Sequence, residues 1–262
     1  MGVLNVTPDS FSDGARFDSP AAAIEQGLRM AAEGAAIIDV GGESTRPGAE
    51  PVSAQEELRR VLPVIEGLRR ATSAVVISID TSKPEVIRAA AGAGAGFIND
   101  VRALRAPGAL EAAAATSCAV CLMHMQGEPR TMQVAPHYVD VVAEVRAFLA
   151  GRAAACRSAG IGPARLTVDP GFGFGKNLEH NLTLLRHLPE LAADGYPVLV
   201  GLSRKSTVGK LTGRDGGERL PGSLALAVIA ALKGARIIRA HDVAATVDAL
   251  KVTAAVANGA GL

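Results

Sequence analysis

The sequence predicts an α/β protein, a TIM (β/α)8 barrel folded as one domain over residues 1–262. Short β-branched apolar runs alternate with long helical patterns along the whole chain. That alternation is the mark of a parallel sheet covered by helices. The length of 262 residues is the usual size of one such barrel. The nearest competitor, an open doubly wound sheet, loses its main support because no G-x-G-x-x-G turn follows the first strand.

The strands are expected at residues 2–6, 36–40, 75–80, 96–100, 119–124, 166–169, 197–202 and 236–240. Most are apolar throughout, as strands buried on both faces must be. Ser19-Pro20 reads as the cap and first residue of the first helix. Ser53-Ala54-Gln55-Glu56 is a capping box leading into Leu58, Val61, Leu62, Ile65 and Leu68 on one helical face. Ser82-Lys83-Pro84-Glu85 repeats the box. Asp242 is expected to cap the last helix, whose apolar stripe is Val243, Val247, Leu250 and Ala254. Gly34, Gly92 and Gly160 stand where glycines stop helices.

Hydrophobic residues make up 48% of the chain and charged ones 20%, the balance of a globular protein. Net charge is +1 with no basic stripe, which argues against nucleic acid as a partner. The start carries no basic signal segment, and the apolar stretch from Leu224 to Leu232 is far too short to span a bilayer. A cytoplasmic enzyme of small molecules is the expectation. Cys118 and Cys121 form a C-x-x-C inside an apolar run, with no second ligand pair for zinc, and read as buried thiols.

The strongest signal is positional. Nearly every expected strand ends in a polar residue, on the side where barrel enzymes place their sites. These are Asn5; Asp39, with Glu43, Thr45 and Arg46 in its loop; Asp80; Asn99 and Asp100; His124; Asp169; Ser203, Lys205 and Ser206; and Arg239 and His241. Turn capping accounts for one or two such residues but not for all eight ends. Singly, Asp39 also reads as a turn cap, His124 as a core histidine and Lys205 as a solvated loop lysine.

Two zones emerge. Asp80, Asn99 and Asp169 form an acid–amide floor, suited to a flat heterocycle with adjacent N–H donors. Arg46, Lys205, Arg239 and His241 form a cationic rim, near the usual phosphate position after strands 7 and 8. Asn5, with Asp9 and Asp13, suits a magnesium ion bridging phosphate oxygens. Gly201 to Lys210 lacks Walker A spacing. Gly171-Phe172-Gly173-Phe174-Gly175 is a weak motif alone, but it follows Asp169-Pro170 and offers Phe174 as an apolar wall.

These residues fall in stretches that resemble the dihydropteroate synthase family. Met1 to Gly14 (MGVLNVTPDSFSDG) and Gly41 to Gly48 (GGESTRPG) are similar to its first two signatures. Asp80 to Pro84, Ile98 to Asp100, Met123 to Gly127, Asp169 to Lys176, Ser203 to Ser206 and Arg239 to Val243 follow in the same order. Ala15 departs where a second glycine is common, and the first signature starts at Met1, where the family often has an opening hairpin before it. The resemblance implies condensation of 7,8-dihydropterin-6-ylmethyl diphosphate with p-aminobenzoate, with Mg2+, in a homodimer joined through helices of the last repeats.

It further implies that Asp80, Asn99, Asp169 and Lys205 hold the pterin, with Met123 a substrate contact. Arg46, Arg239 and His241 would take the diphosphate, and Asn5 the Mg2+. Thr45, Arg46, Pro47, Phe174, Lys205 and Ser206 would frame the aminobenzoate. Phe11 and Asp13 belong to a loop closing over the reacting centre. Two alternatives share the pterin floor. A pterin-dependent methyltransferase domain would lack the Thr-Arg-Pro-Gly and Ser-Arg-Lys-Ser stretches. A non-catalytic pterin-binding paralogue would have eroded first and second loops.

Overall fold

A computed structural model describes residues 1–7, 20–44, 50–128 and 131–258. Its elements run β1 (Gly2–Asn5), α1 (Pro20–Ala32), β2 (Ile37–Gly41), α2 (Ala54–Ala71), β3 (Val76–Asp80), α3 (Pro84–Gly92) and β4 (Phe97–Asp100). They continue with α4 (Ala109–Ala114), β5 (Ala119–Met123), α5 (Val141–Ser158), β6 (Leu166–Asp169), α6 (Leu178–Arg186), α7 (Leu188–Ala192) and β7 (Val198–Val200). The last are α8 (Ser206–Thr212), α9 (Leu220–Leu232), β8 (Ala235–Ile238) and α10 (Val243–Asn258).

All eight expected strands form one sheet in sequence order, and every neighbouring pair is parallel. Consecutive parallel strands need a crossover, which the helices supply. The repeats after β6 and β7 each carry two helices where one was expected; Pro189 opens α7 directly behind α6. Beyond β8, Val3 N–H donates to the Ala240 carbonyl at 3.1 Å and Ala240 N–H to the Met1 carbonyl at 2.9 Å.

The α2 stripe does what its spacing requires, whereas the α10 stripe is buried only at Val243, half-buried at Val247 and Leu250, and exposed at Ala254. Val61, Ile65 and Leu68 of α2 are buried against Ile38, Val40 and Ile79 of the sheet. Val145 and Leu149 of α5 join Leu184, Val168 and Val200 in a second cluster. Cys118, Cys121 and Cys156 are free thiols in the interior.

Capping is partly as expected. The Ser53 hydroxyl accepts from Glu56 N–H at 3.2 Å. Ser82 does not cap α3; its hydroxyl donates to Asp100, and Lys83 holds the capping position with no side-chain bond to the helix backbone. Pro84 starts this helix without needing a cap, since its missing N–H is one that a helix start leaves unpaired. Gly92 lies inside α3, and Gly94 takes the left-handed turn instead (φ +106°). Asp242 precedes α10, and its carbonyl accepts Thr246 N–H, while its carboxylate pairs with Arg204.

Register positions the site. Asn5, Gly41, Asp80, Asn99 and Cys121 stand opposite one another across β1 to β5. Two residues earlier, Val3, Asp39, Ser78 and Phe97 form the rung below. Side chains two apart on a strand share a face, so Asp39 lies directly beneath this polar rung.

Candidate active site

The lower rung carries the most constrained carboxylate. Asp39 is fully buried. Its Oδ1 accepts the Ser78 hydroxyl at 2.6 Å, and its Oδ2 accepts Asn99 Nδ2 at 2.9 Å and Arg239 Nε at 2.6 Å. A carboxylate so enclosed needs such partners, because an unpaired buried charge is very costly. Asp39 is no turn cap. Asp100 is one: it accepts Ser82, and the N–H groups of Arg102 at 2.7 Å and Leu104 at 2.8 Å.

Arg239 bridges the rungs. Its Nη2 donates to Asp80 Oδ2 at 2.9 Å while Nε holds Asp39. One planar fork thus joins two carboxylates. Despite burial, Asp39 and Asp80 hold the guanidinium above its ordinary pKa. Burial, reinforced by the Asp39 charge, pushes the Asp80 carboxyl upward, and Arg239 pulls it back. Gly41 leaves room here for no more than a methyl group, whose carbon would already touch Asp80 Cβ at 3.5 Å. A Cβ built on it would lie 3.7 Å from Asn5 Oδ1 and 3.8 Å from Asp80 Oδ2, so both oxygens face the same small space.

Asp169 ends β6 and is buried. Burial raises its pKa, opposed by the charge of Lys205 and by the Gly171 N–H, which donates to Oδ1 at 2.7 Å. The loop behind it is pressed onto the chain after β5. A Cβ on Gly171 would sit 1.9 Å from the His124 carbonyl oxygen, and one on Gly175 would sit 2.3 Å from that of Gln126. Both glycines have positive φ, at +68° and +61°. Only glycine meets both demands.

Lys205 lies over this loop. Its ammonium donates to the Phe172 carbonyl and stands 4.6 Å above the centre of the Phe174 ring, a cation–π distance. Burial lowers its pKa to about 8, with Asp169 raising it and Arg239 lowering it. It is no solvated loop lysine. Phe174 also packs against the buried cluster of Val101, Met123, Met125 and Met132. Arg204, before Lys205, has φ +58°. Its N–H donates to Ser223, its guanidinium grips Asp242 through two bonds, and its carbonyl accepts Arg219. Together these hold a backbone conformation that non-glycine residues rarely adopt. Ser203 accepts the His241 N–H at 3.2 Å, and its hydroxyl also lies 3.2 Å from the ring Nδ1. Ser206 opens α8 on the surface.

The structure therefore brings Asp80, Asn99, Asp169, Lys205 and Arg239 to one end of the sheet. It places Arg239 inside the acid floor rather than apart from it. His124 turns away: it is buried edge-on against Phe148 at 4.9 Å, the core reading. Its ring Nδ1 is 2.9 Å from Lys176 Nζ, and burial with that neighbour lowers its pKa to about 3. Asp9, Phe11, Asp13, Thr45, Arg46 and Pro47, and the cap at Ser19, lie outside the described residues.

Sequence reasoning passed over Lys176 and the pair of Glu57 with Lys83. Lys83 Nζ binds Glu43 at 2.7 Å and Glu57 at 2.5 Å. Glu57 is wholly buried, and burial pushes its carboxyl pKa upward against the pull of Lys83 and Thr81. A glutamate on the apolar face of α2 was the available signal.

Known proteins share this plan. The family described as pterin binding enzyme matches residues 1–241. Dihydropteroate synthase of Escherichia coli (strain K12) is 58% identical over 255 residues, covering 97% of this chain and 90% of that protein. Its counterpart in Haemophilus influenzae is 54% identical over 258 residues, covering 98% and 94%. The Yersinia pestis dihydropteroate synthase solved with a sulfonamide drug superposes with a TM-score of 0.95 at 53% identity, over 98% of this chain and 94% of that one. The Xanthomonas albilineans enzyme in complex with 7,8-dihydropteroate gives 0.89 at 54% identity, over 98% and 92%. The acid floor, the lysine over the glycine loop and these likenesses along nearly the whole chain lead to one assignment: the chain belongs to the pterin-binding enzyme family, among its dihydropteroate synthases.

Proposed function

We propose that this site condenses 7,8-dihydropterin-6-ylmethyl diphosphate with p-aminobenzoate, giving 7,8-dihydropteroate and diphosphate by SN1-like loss of diphosphate. The observation that carries the reading is the meeting of Asp80, Asn99 and Asp169 with Lys205 and Arg239 at one end of the sheet. Asp80, Asn99 and Asp169 bind the pterin edge, and parallel N–H···O bonds orient it. Met123 and Phe174 give apolar walls. The same carboxylates favour the positive charge that develops as diphosphate departs.

Arg239 spends Nε and Nη2 on the acids, and the rest of its fork remains for an anion. With His241 and Arg46 it receives the diphosphate. Lys205, Ser206, Thr45, Arg46 and Pro47 frame the aminobenzoate. Its arylamine is neutral at pH 7, so no strong base is required. Phe11 and Asp13 help exclude water, which would otherwise capture the cation.

The reading includes Mg2+. The donor chemistry suits it: Asn5 Oδ1 is a hard oxygen beside Asp80 Oδ2, near Gly41, and Mg2+ takes one or two protein oxygens plus phosphate oxygens. Asn5 would hold it, and when bound it would neutralise charge on the leaving group. Supporting a closed (β/α)8 barrel are the two hydrogen bonds between the start of the chain and Ala240. Supporting a homodimer are Ile229 and Leu232 of α9 and Val252 and Val256 of α10, all exposed on two helices packed together. No helix among the described residues is long and apolar enough to cross a membrane; a cytoplasmic place belongs to the proposed reading.

The test is diphosphate release with both substrates, with and without EDTA. Release that needs both substrates and falls on chelation is expected; release without aminobenzoate dependence would remove the reading. A sulfonamide should compete with aminobenzoate, and purely noncompetitive inhibition would displace the Phe174–Lys205 pocket.

A further inference from the structure

Lys176 follows the glycine loop and is 2% exposed. Among the described residues no carboxylate makes a hydrogen bond or ion pair with it. Its Nζ lies 2.9 Å from His124 Nδ1, 3.0 Å from the Phe174 carbonyl and 3.1 Å from the Gly171 carbonyl, with the His124 carbonyl at 3.5 Å. An ammonium has three N–H bonds, and the three shorter contacts use them all. When Lys176 is protonated, His124 Nδ1 must accept, which leaves the ring proton on Nε2.

Carrying this ammonium is costly. Burial lowers the Lys176 pKa to about 7, with Asp169 opposing and Lys205 adding to the fall. An apolar side chain would fill the same space without desolvating a charge. What the ammonium supplies is convergence. It ties the end of β5 to both ends of the turn 171–174. Within that turn lie the Phe172 carbonyl that accepts Lys205 and the Phe174 ring beneath it. Asn181 supports the same turn, its Oδ1 accepting Gly173 N–H at 2.7 Å.

We propose that Lys176 is a positioning residue for the aminobenzoate side of the site, fixing the Phe172 carbonyl and the Phe174 ring against Lys205 by gathering the Gly171 and Phe174 carbonyls and the His124 ring onto one ammonium. This rests on the proposed assignment of Phe174 and Lys205 to aminobenzoate, so the experiment separates the two ideas.

Both substrates are varied in steady-state assays of the full-length wild type and of Phe174→Ala, Lys176→Met and His124→Phe. Phe174→Ala reads the assignment alone; an unchanged aminobenzoate KM there overturns the assignment and the inference with it. Given a rise in that variant, Lys176→Met should raise the aminobenzoate KM about tenfold, the effect of losing one or two charge-assisted bonds. The Ki of a sulfonamide should rise with it. The KM for the pterin diphosphate should stay within about twofold. His124→Phe keeps the ring packing on Phe148 but loses the nitrogen acceptor, and should move the same KM by about threefold. Equal changes in both KM values, or none, would mean that Lys176 only fills space, and would overturn the role. If Lys176→Met does not fold, His124→Phe decides: an unchanged aminobenzoate KM overturns the proposal.

Discussion

The acid floor and the glycine loop solve the same problem, a buried charge, in opposite ways. In the floor, Arg239 meets two carboxylates, and Asp39 is saturated by Ser78, Asn99 and Arg239. Over the loop, Lys205 and Lys176 donate to neutral carbonyls and to an imidazole. The consequence is electrostatic. Paired carboxylates hold Arg239 above its ordinary pKa, whereas burial brings the two lysines to about 8 and about 7. Arg239 is thereby locked in one charge state, while Asp80, pushed up to about 8 by burial and the Asp39 charge, joins the two lysines among the groups that titrate near neutrality.

Removing one member of the locked set should have the largest effect. Asp39→Ala leaves Arg239 and Asn99 short of an acceptor, and should cost about 3 kcal/mol of stability in urea unfolding. A loss below about 1 kcal/mol would show that Arg239 re-pairs freely, and the contrast would break. Asp169→Asn comes next. It keeps the shape but removes the charge, and pterin affinity in calorimetry should fall about hundredfold. Normal affinity would refute the pterin pose.

The loop side should show itself in pH. The Lys205 ammonium is present below about 8 and lost above it, so kcat/KM for aminobenzoate should fall with a midpoint near 8. Lys205→Arg should move that limb out of range; an unmoved limb would assign it elsewhere. Stability should run the other way. The folded-state pKa lies below the unfolded value of 10.5. Between about 8 and 10.5 the unfolded chain therefore holds more protons, and stability rises with pH. The smallest effect belongs to the exposed pair at the rim. Asp242→Asn should cost only about 0.5 kcal/mol, and less in high salt, because solvent screens Arg204.

The sequence made the strand ends legible because polar residues there interrupt apolar runs. It singled out Asp80, Asn99, Asp169 and Lys205, which the structure places at one end of the sheet. It did not reveal that Arg239 lies in the floor, because a charge pattern gives the strand and not the direction of a long side chain. Asp39 was legible as a strand residue but not as the hub, since its partners come from β3, β4 and the chain beyond β8. Ser82 matched a capping box, yet Pro84 made a cap unnecessary and Asp100 drew the hydroxyl away. Lys176 was hidden because lysine in a glycine-rich stretch reads as solvated, and only the packing of the turn onto β5 buries it.

The polar rung from Asn5 to Asn99 has a consequence for how the molecule breathes. Its spacing is set by the backbone hydrogen bonds of four parallel strands, so it cannot loosen piecemeal. Amide deuteration at Val40 and Ile98 should therefore wait for whole-chain opening, and a bound pterin should slow it by its full binding energy.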